Sequence, residues 1–241
     1  MTRLPRLGVL VPSTNTTVEA DFQRLAHAHA TFHSHRLPVF ETTVTERMLD
    51  AMNADLAEQV KVLCTADIDG IIYACTAGSF FRGAAWDNEM VERIEALSGK
   101  PAVGASSALV AALRHLGAQA VHAFTPYPEW TNEKLRTYLE DQGFRVLGVD
   151  RDPCAAREGL LHVNDQPPAE IEDFIASGLV AGADAIVCSC TAWRCLEAAD
   201  RLEARCGVPV LTSNQAMLWA IGRKLGIGWR FSQGGRLLAA S

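Results

Sequence analysis

Two cysteines occupy the same place in two similar segments of the chain. Residues 71–77 read IIYACTA and residues 186–192 read IVCSCTA, so each apolar run leads into Cys-Thr-Ala, at Cys75 and at Cys190. In a parallel α/β sheet, ligands bind at the carboxyl ends of the strands. A matched pair of thiols at that edge can supply a nucleophile and an acid/base. We therefore predict that Cys75 and Cys190 are catalytic.

A structural role is the alternative for each of these cysteines. Free cysteine is often a small buried hydrophobic residue, and for one cysteine alone that interpretation is the better one. The equivalent positions in the two segments, beside small and hydroxyl residues, favour catalysis for the pair. The other five cysteines lack this context and are expected in the core or at the surface: Cys64, Cys154, Cys188, Cys195 and Cys206.

The turns after the two cysteines favour an anion. Thr76 follows Cys75 and Thr191 follows Cys190, and the residues beyond them read as strand-to-helix turns with free backbone amides. A helix N-terminus carries roughly half a positive charge, so it binds carboxylates and lowers the pKa of a nearby thiol. We predict that Thr76 and Thr191 bind substrate, and a helix end at this place can also lower the thiol pKa values.

Two more polar side chains belong to the first turn of each half. In residues 11–17 (VPSTNTT), Asn15 either caps the following helix or donates its amide to a substrate carboxylate, and at least one residue there should be a cap. In residues 125–128 (TPYP), Tyr127 offers a hydroxyl where a pocket would lie, with aromatic packing as the alternative.

An internal repeat predicts the architecture that brings these residues together. Residues 66–72 (ADIDGII) align without a gap with residues 181–187 (AGADAIV), and residues 99–106 are similar to residues 207–213. Each repeat unit reads as three strands alternating with helices, and this alternation is typical of a parallel sheet. Helices are expected over residues 56–63, 90–97, 132–142 and 195–205, with apolar helices ending before Gly117 and Gly226.

We therefore predict an α/β fold of two pseudo-symmetric lobes, each a parallel sheet flanked by helices, with the active site in the cleft between them. Residues 1–117 form the N-terminal lobe, residues 118–226 form the C-terminal lobe, and residues 227–241 form a C-terminal appendage that crosses back onto the other lobe.

Composition excludes several classes of function. The 241 residues are 49% hydrophobic and 21% charged, and the formal net charge of −6 argues against binding to nucleic acid or anionic lipid. The apolar run at residues 7–11 stops at Pro12 and is no secretory signal, and no run approaches the roughly 20 residues that span a bilayer. Together with seven irregularly spaced cysteines, this indicates a cytoplasmic protein with reduced thiols.

No cofactor is expected. The chain has no Gly-rich dinucleotide or P-loop sequence, and its alternating histidines have no cysteine or acidic partner at ligand spacing, so no metal is expected either. Arg82 and Arg194 could hold an acidic substrate, but surface ion pairs are the commoner role of such arginines. The partner expected is a small carboxylic acid, and association with a second copy of the chain stays open.

These residues resemble the aspartate/glutamate racemase superfamily, whose two α/β lobes each give one cysteine to a cofactor-independent site. Residues 11–19 (VPSTNTTVE), 32–36 (FHSHR) and 74–76 (ACT) are similar to its maleate cis-trans isomerases. The resemblance implies that Asn15 binds a substrate carboxylate and that Tyr127 contacts the substrate. It also implies that Cys75 is the nucleophile and Cys190 the acid/base.

Other segments resemble arylmalonate decarboxylases, namely residues 79–85 (SFFRGAA) and 207–210 (GVPV). Those enzymes keep the second-lobe cysteine but carry glycine at the first, so Cys75 argues against a simple decarboxylase. The second substrate asparagine of the isomerases has no match within residues 150–158, and Asn164 is out of register.

The function expected is a cofactor-independent isomerase of small dicarboxylic acids that converts maleate to fumarate. An amino-acid racemase with the same two thiols, an arylmalonate decarboxylase and a non-catalytic carboxylate-binding module stay as alternatives.

Overall fold

The computed structural model describes residues 3–153, 159 and 161–239, which form two parallel sheets of four strands each. The first sheet has the order β2-β1-β3-β4, with β1 Arg6–Pro12, β2 Thr31–Leu37, β3 Gly70–Tyr73 and β4 Ala102–Gly104. The second has the order β6-β5-β7-β8, with β5 Ala120–Thr125, β6 Arg145–Arg151, β7 Ala185–Cys188 and β8 Val210–Thr212. The predicted fold class, two similar α/β lobes, is confirmed.

Helices lie against both sheets. Those of the first lobe are α1 Thr17–Ala26, α2 Glu46–Asn53, α3 Leu56–Cys64, α4 Thr76–Phe80, α5 Ala84–Ser98 and α6 Ala105–His115. Those of the second part are α7 Glu129–Asp141, α8 Pro168–Gly178, α9 Ala199–Cys206, α10 Ser213–Lys224 and α11 Gly235–Ala239, with short 3-10 turns at His162–Asn164 and Arg194–Glu197. None of the helices in the described part of the chain is long and apolar enough to cross a membrane.

Each sheet has one strand more than the repeat predicted. The extra strands are β2 and β6, which lie at the edges of the sheets and consist almost entirely of exposed and half-buried residues. An edge strand does not need the continuous apolar run that marks a fully buried parallel strand. The prediction of three strands per lobe was therefore wrong, because it relied on apolar runs.

The junctions before β3 and β7 are built alike. The backbone N–H of Asp69 donates to Arg6 O, and that of Asp184 donates to Ala120 O, both at 2.7 Å. Their carboxylates accept in return from Arg6 N at 2.8 Å and from Ala120 N at 2.7 Å. The two aspartates occupy aligned positions in the repeat, so the sequence similarity reflects equivalent hydrogen bonds.

The same alignment pairs Asp67 with Gly182, and both residues have a left-handed backbone conformation, with φ of 51° and 88°. This conformation costs most residues about 1–2 kcal/mol, whereas glycine and, less easily, aspartate adopt it. The expected glycine ends of α6 and α10 are also present, since Gly117 and Gly226 both have φ of 71°.

The two lobes share one apolar core. Helices α6 and α10 pack against each other, and Ile221 of α10 lies against Gly70 at the start of β3, where an added Cβ would be 3.1 Å from Ile221 Cδ1. The largest cluster of buried apolar residues contains members from both sheets, such as Leu10 and Leu211. The lobes are therefore held by core packing.

The C-terminal segment returns to the first lobe. The rings of Trp229 and Phe231 lie 6.5 Å and 5.2 Å from the ring of His29, which follows α1. Residues 240 and 241 lie outside the described residues.

We expect Gly182→Ala to lower the free energy of unfolding by about 1 kcal/mol, because alanine must adopt a left-handed φ there. An added Cβ at Gly182 meets no atom within 4 Å, so the loss comes from the backbone alone. Urea denaturation monitored by circular dichroism measures it. Gly228→Ala is the matched control, since that glycine also has open space and no left-handed φ. Equal stability of the two variants would contradict the assignment.

Candidate active site

Cys75 and Cys190 lie at equivalent places and line the same cleft. β3 ends at Tyr73 and β7 at Cys188, so each cysteine stands two residues beyond its strand. Between them lies a cavity of about 140 Å³. A negative charge on Cys190 raises the pKa of Cys75. The cleft therefore offers two thiols to one small ligand.

Cys75 caps a short helix. Its Sγ accepts a hydrogen bond from Gly78 N at 3.3 Å, at the start of α4. Burial raises the pKa of the Cys75 thiol to about 12, and this one hydrogen bond lowers it only in part. The effect of the helix N-terminus, which can lower a thiol pKa, is therefore outweighed at Cys75, because this residue is only 7% exposed and its thiol loses its hydration.

Cys190 has more hydrogen-bond donors than Cys75. Burial raises the pKa of its thiol too, but the backbone N–H groups of Ala192 and Trp193 and the hydroxyl of Tyr127 each lower it. Hydrogen bonds to the charged form of a group favour that form. Of the two thiols, Cys190 is therefore the one that ionises more readily.

No α-helix begins directly after Cys190. The chain makes a turn in which Trp193 N donates to Cys190 O at 3.4 Å, and the 3-10 turn Arg194–Glu197 follows. The indole of Trp193 is buried and donates to Gln166 Oε1 at 2.8 Å, which anchors this path. The prediction of a helix N-terminus after both cysteines thus holds for Cys75 and is wrong for Cys190.

The two threonines join the lobes. Thr76 Oγ1 of the first lobe donates to Ser213 Oγ of the second at 2.9 Å, and Thr191 Oγ1 of the second donates to Ala74 O of the first at 3.1 Å. Both threonines line the cleft. Because their hydroxyl protons are used between the lobes, they offer a substrate carboxylate their backbone N–H groups rather than their hydroxyls.

Asn15 does both things that its position suggested. Its Oδ1 accepts from Thr17 N at 2.9 Å and from Val18 N at 3.1 Å, which caps α1. Its Nδ2 donates to Thr191 Oγ1 at 3.0 Å, across the cleft. The side chain is buried and lines the cavity, so a substrate carboxylate can compete for the same N–H group.

Tyr127 lies between the two cysteine turns. Its hydroxyl faces the side chains of Cys190 and Thr76, and its ring meets Phe80 edge-on with centroids 6.0 Å apart. Burial raises the pKa of Tyr127 well above its ordinary value, so the phenol is a neutral hydrogen-bond donor. The structure thus combines the hydroxyl role and the packing role that the sequence left open.

The sequence did not predict the position of Asn164 beside the first turn of the first lobe. Its Oδ1 accepts from Thr16 N at 3.0 Å and from Thr17 Oγ1 at 3.2 Å, and its Nδ2 donates to Thr14 O at 3.1 Å. The side chain thereby anchors the 3-10 turn of the second lobe on the first turn of the first lobe. A single asparagine in a loop carries no pattern that would indicate this.

The remaining cysteines stay outside the cleft. Cys188 and Cys195 are buried beside each other, whereas Cys64 and Cys206 are half-buried, and none of the four lines the cavity. Cys154 lies outside the described residues.

The walls of the cleft are mostly aliphatic, and no acidic residue is among the described residues that line it. Its apolar lining includes Val39, Val44, Met48, Leu49, Met52 and Val163. Arg82 is paired with Asp50 at 2.8 Å, and Arg194 with Glu197 at 2.7 Å, so neither contributes to the cleft. Among the described residues that line it, Arg151 alone carries a formal charge.

Comparison with known proteins identifies the family. The arylmalonate decarboxylase family model matches residues 7–238. A maleate isomerase from Nocardia farcinica is 31% identical, with 97% of this chain and 95% of the relative covered. An arylmalonate decarboxylase from Bordetella bronchiseptica is 28% identical, with 98% of each chain covered.

Solved structures agree. The maleate isomerase Iso from Pseudomonas putida matches with a TM-score of 0.91 and 28% identity, over 98% of this chain and 99% of that one. A variant of the Nocardia farcinica maleate cis-trans isomerase with a covalently bound succinylcysteine intermediate also matches, with a TM-score of 0.91 and 28% identity. The match covers 99% of this chain and 100% of that one. The chain belongs to the arylmalonate decarboxylase family, in which its relatives include maleate isomerases.

Proposed function

We propose that this protein is a cofactor-independent cis-trans isomerase that converts maleate to fumarate. The observation that carries the proposal is the pair of thiols, Cys75 and Cys190, which face one cleft of suitable size from equivalent turns. Relatives named maleate isomerase cover nearly the whole chain, and a solved relative holds a succinylcysteine. Such an adduct is what the addition of a thiol to maleate produces.

The pKa shifts of the two thiols favour different roles for the two cysteines. Burial keeps both thiols largely protonated near pH 7, and the interaction between them disfavours two negative charges at once. The three donors around Cys190 make it the first to ionise, so the Cys190 thiolate acts as the base that takes the proton of Cys75. Cys75 is then the nucleophile.

The reaction follows in balanced steps. Cys75 Sγ forms a bond to one alkene carbon of maleate while its proton passes to Cys190, and the electron pair of the double bond moves into the carboxylate at the other end. Cys190 returns the proton to the second alkene carbon, which gives a succinyl thioether. After rotation about the central single bond, Cys190 removes a proton from that carbon, and the C–S bond breaks to release fumarate and the Cys75 thiolate. The proton then passes from Cys190 back to Cys75, which restores the starting state.

The turns that line the cleft stabilise the negative charge that develops on the substrate carboxylate. When the alkene electrons move into a carboxylate, its oxygens gain negative charge and need hydrogen-bond donors already in place. The N–H groups at the start of α4 and the amide of Asn15 are placed to donate to carboxylates in the cleft. A thiol mechanism also requires reduced cysteines, which fits a reducing compartment such as the cytoplasm.

The alternatives fit the cleft less well. An amino-acid racemase must also bind an ammonium group, and no described residue that lines the cleft has a carboxylate to pair with it. A decarboxylase of substituted malonates needs one thiol to deliver a proton, which leaves Cys75 without a role. The aliphatic walls and the match to the arylmalonate decarboxylase family model favour such a substrate.

We expect Cys75→Ser and Cys190→Ser each to lower kcat for maleate by at least about a thousandfold, because the nucleophile and the proton carrier act as one unit. Fumarate formation followed by NMR measures the loss, and calorimetry should show that Cys75→Ser still binds maleate. Mass spectrometry of Cys190→Ser with maleate should show a Cys75 adduct heavier by one maleic acid. Cys64→Ser, away from the cleft, is the control with unchanged activity.

Two results would reject the isomerase. Wild-type protein that binds maleate without turnover would indicate a carboxylate-binding module. Release of carbon dioxide from phenylmalonate that survives in Cys75→Gly would indicate a decarboxylase.

We expect kcat/KM for maleate to rise about tenfold per pH unit from about pH 7 to about pH 9, since the active thiolate is the deprotonated form and the pKa values of both thiols are raised. Tyr127→Phe removes a donor from Cys190 and should raise the pKa of that thiol, so its rate should be lower at every pH with the same slope. Initial rates in buffers of constant ionic strength test this. A pH-independent rate over that range would contradict the thiolate assignment.

A further inference from the structure

Arg151 is a cation at the rim of the cleft with no role in the mechanism above. It is the last residue of β6, where it pairs with Thr125 in the sheet, and its side chain is exposed while lining the cavity. No described acidic residue forms an ion pair with it, unlike Arg82, which binds Asp50, and Arg194, which binds Glu197. Its guanidinium is therefore available to a ligand.

A doubly charged ligand needs such a group. Transfer of two carboxylates into an aliphatic cavity removes much of their hydration. For each carboxylate, hydrogen-bond donors or an opposite charge must compensate for the lost hydration. The amides near Cys75 and Asn15 can hold one carboxylate from inside. The thiolate of Cys190 adds a further negative charge, which increases the repulsion on the second carboxylate.

We propose that Arg151 binds the second carboxylate of the substrate and thereby makes the cleft selective for dianions over monoanions. A planar guanidinium can donate two parallel N–H groups to one carboxylate, which fixes orientation as well as charge. Its place at the rim lets it meet the dianion before the inner carboxylate is desolvated. The reaction that follows rests on the proposed isomerase function, whereas selectivity for dianions is a property of binding.

Strand β6 supplies its own control. Arg145 is the first residue of the strand and Arg151 the last, and both are exposed, but Arg145 does not line the cleft. Arg151→Gln and Arg145→Gln remove the same charge from opposite ends of one strand. A general effect of net charge would appear in both variants, and an effect of the cleft only in the first.

The kinetic test compares these variants with maleate as substrate. We expect Arg151→Gln to lower kcat/KM about 10- to 100-fold, mainly through KM, which is the size of a lost hydrogen bond to a charged group. Arg151→Lys should restore part of the loss, because it keeps the charge but not the two-pronged geometry. Arg145→Gln should stay within about twofold of the wild type.

The binding test separates charge recognition from a structural role. Calorimetry on Cys75→Ser, alone and combined with each arginine substitution, gives Kd for maleate and for isocrotonate, which has the same cis skeleton with methyl in place of one carboxylate. Arg151→Gln should weaken maleate about 10- to 100-fold and leave isocrotonate within about twofold. Equal losses for both ligands, or equal Kd for maleate in the Arg151→Gln and Arg145→Gln proteins, would overturn the assignment.

The test of Arg151 can be distinguished from the test of the proposed isomerase function. If the wild type makes no fumarate, the proposed function fails. The calorimetric comparison still decides whether Arg151 recognises a dianion, because maleate serves there only as a probe.

Discussion

The cleft between the two lobes withdraws Cys75 from water and Cys190 in part, and the chemistry of the cleft depends on that burial. A free thiol in water has a pKa of about 8.5, whereas here burial raises the pKa of Cys75 to about 12 and that of Cys190 in the same direction. The free protein therefore holds few thiolates, which protects the cysteines from oxidation. The same dry surroundings strengthen each hydrogen bond that the cleft gives to a developing charge.

The geometry of the pair is set by hydrogen bonds that cross between the lobes. Thr76 donates to Ser213, Thr191 donates to Ala74, and Asn15 donates to Thr191, so each cysteine turn is tied to the opposite lobe beside its own sulfur. Behind these bonds, α6 and α10 share one core. A change in the distance between the lobes would therefore break buried hydrogen bonds, which makes the spacing of the two sulfurs a property of the whole fold.

The sequence could predict what depends on local pattern. The paired motifs located Cys75 and Cys190 at matching strand ends, and the turn sequences pointed to Asn15 and Tyr127. It could not give the direction of the thiol pKa shifts, because these arise from burial by residues that are remote in the chain. The edge strands β2 and β6 lack an apolar run, so the sequence did not indicate them. Arg151 could not be told from other exposed arginines until the structure showed that Arg82 and Arg194 are held in ion pairs.

Duplication accounts for the symmetry of the site, and the differences between the copies account for its division of labour. Both cysteines stand two residues beyond their strands, but a helix follows the first and an irregular turn follows the second. The helix gives Cys75 one donor, from Gly78, while the turn and Tyr127 give Cys190 three. Two identical thiols in identical surroundings would share a proton equally. The unequal donors instead place the negative charge on Cys190 first, which leaves Cys75 to form the bond to carbon.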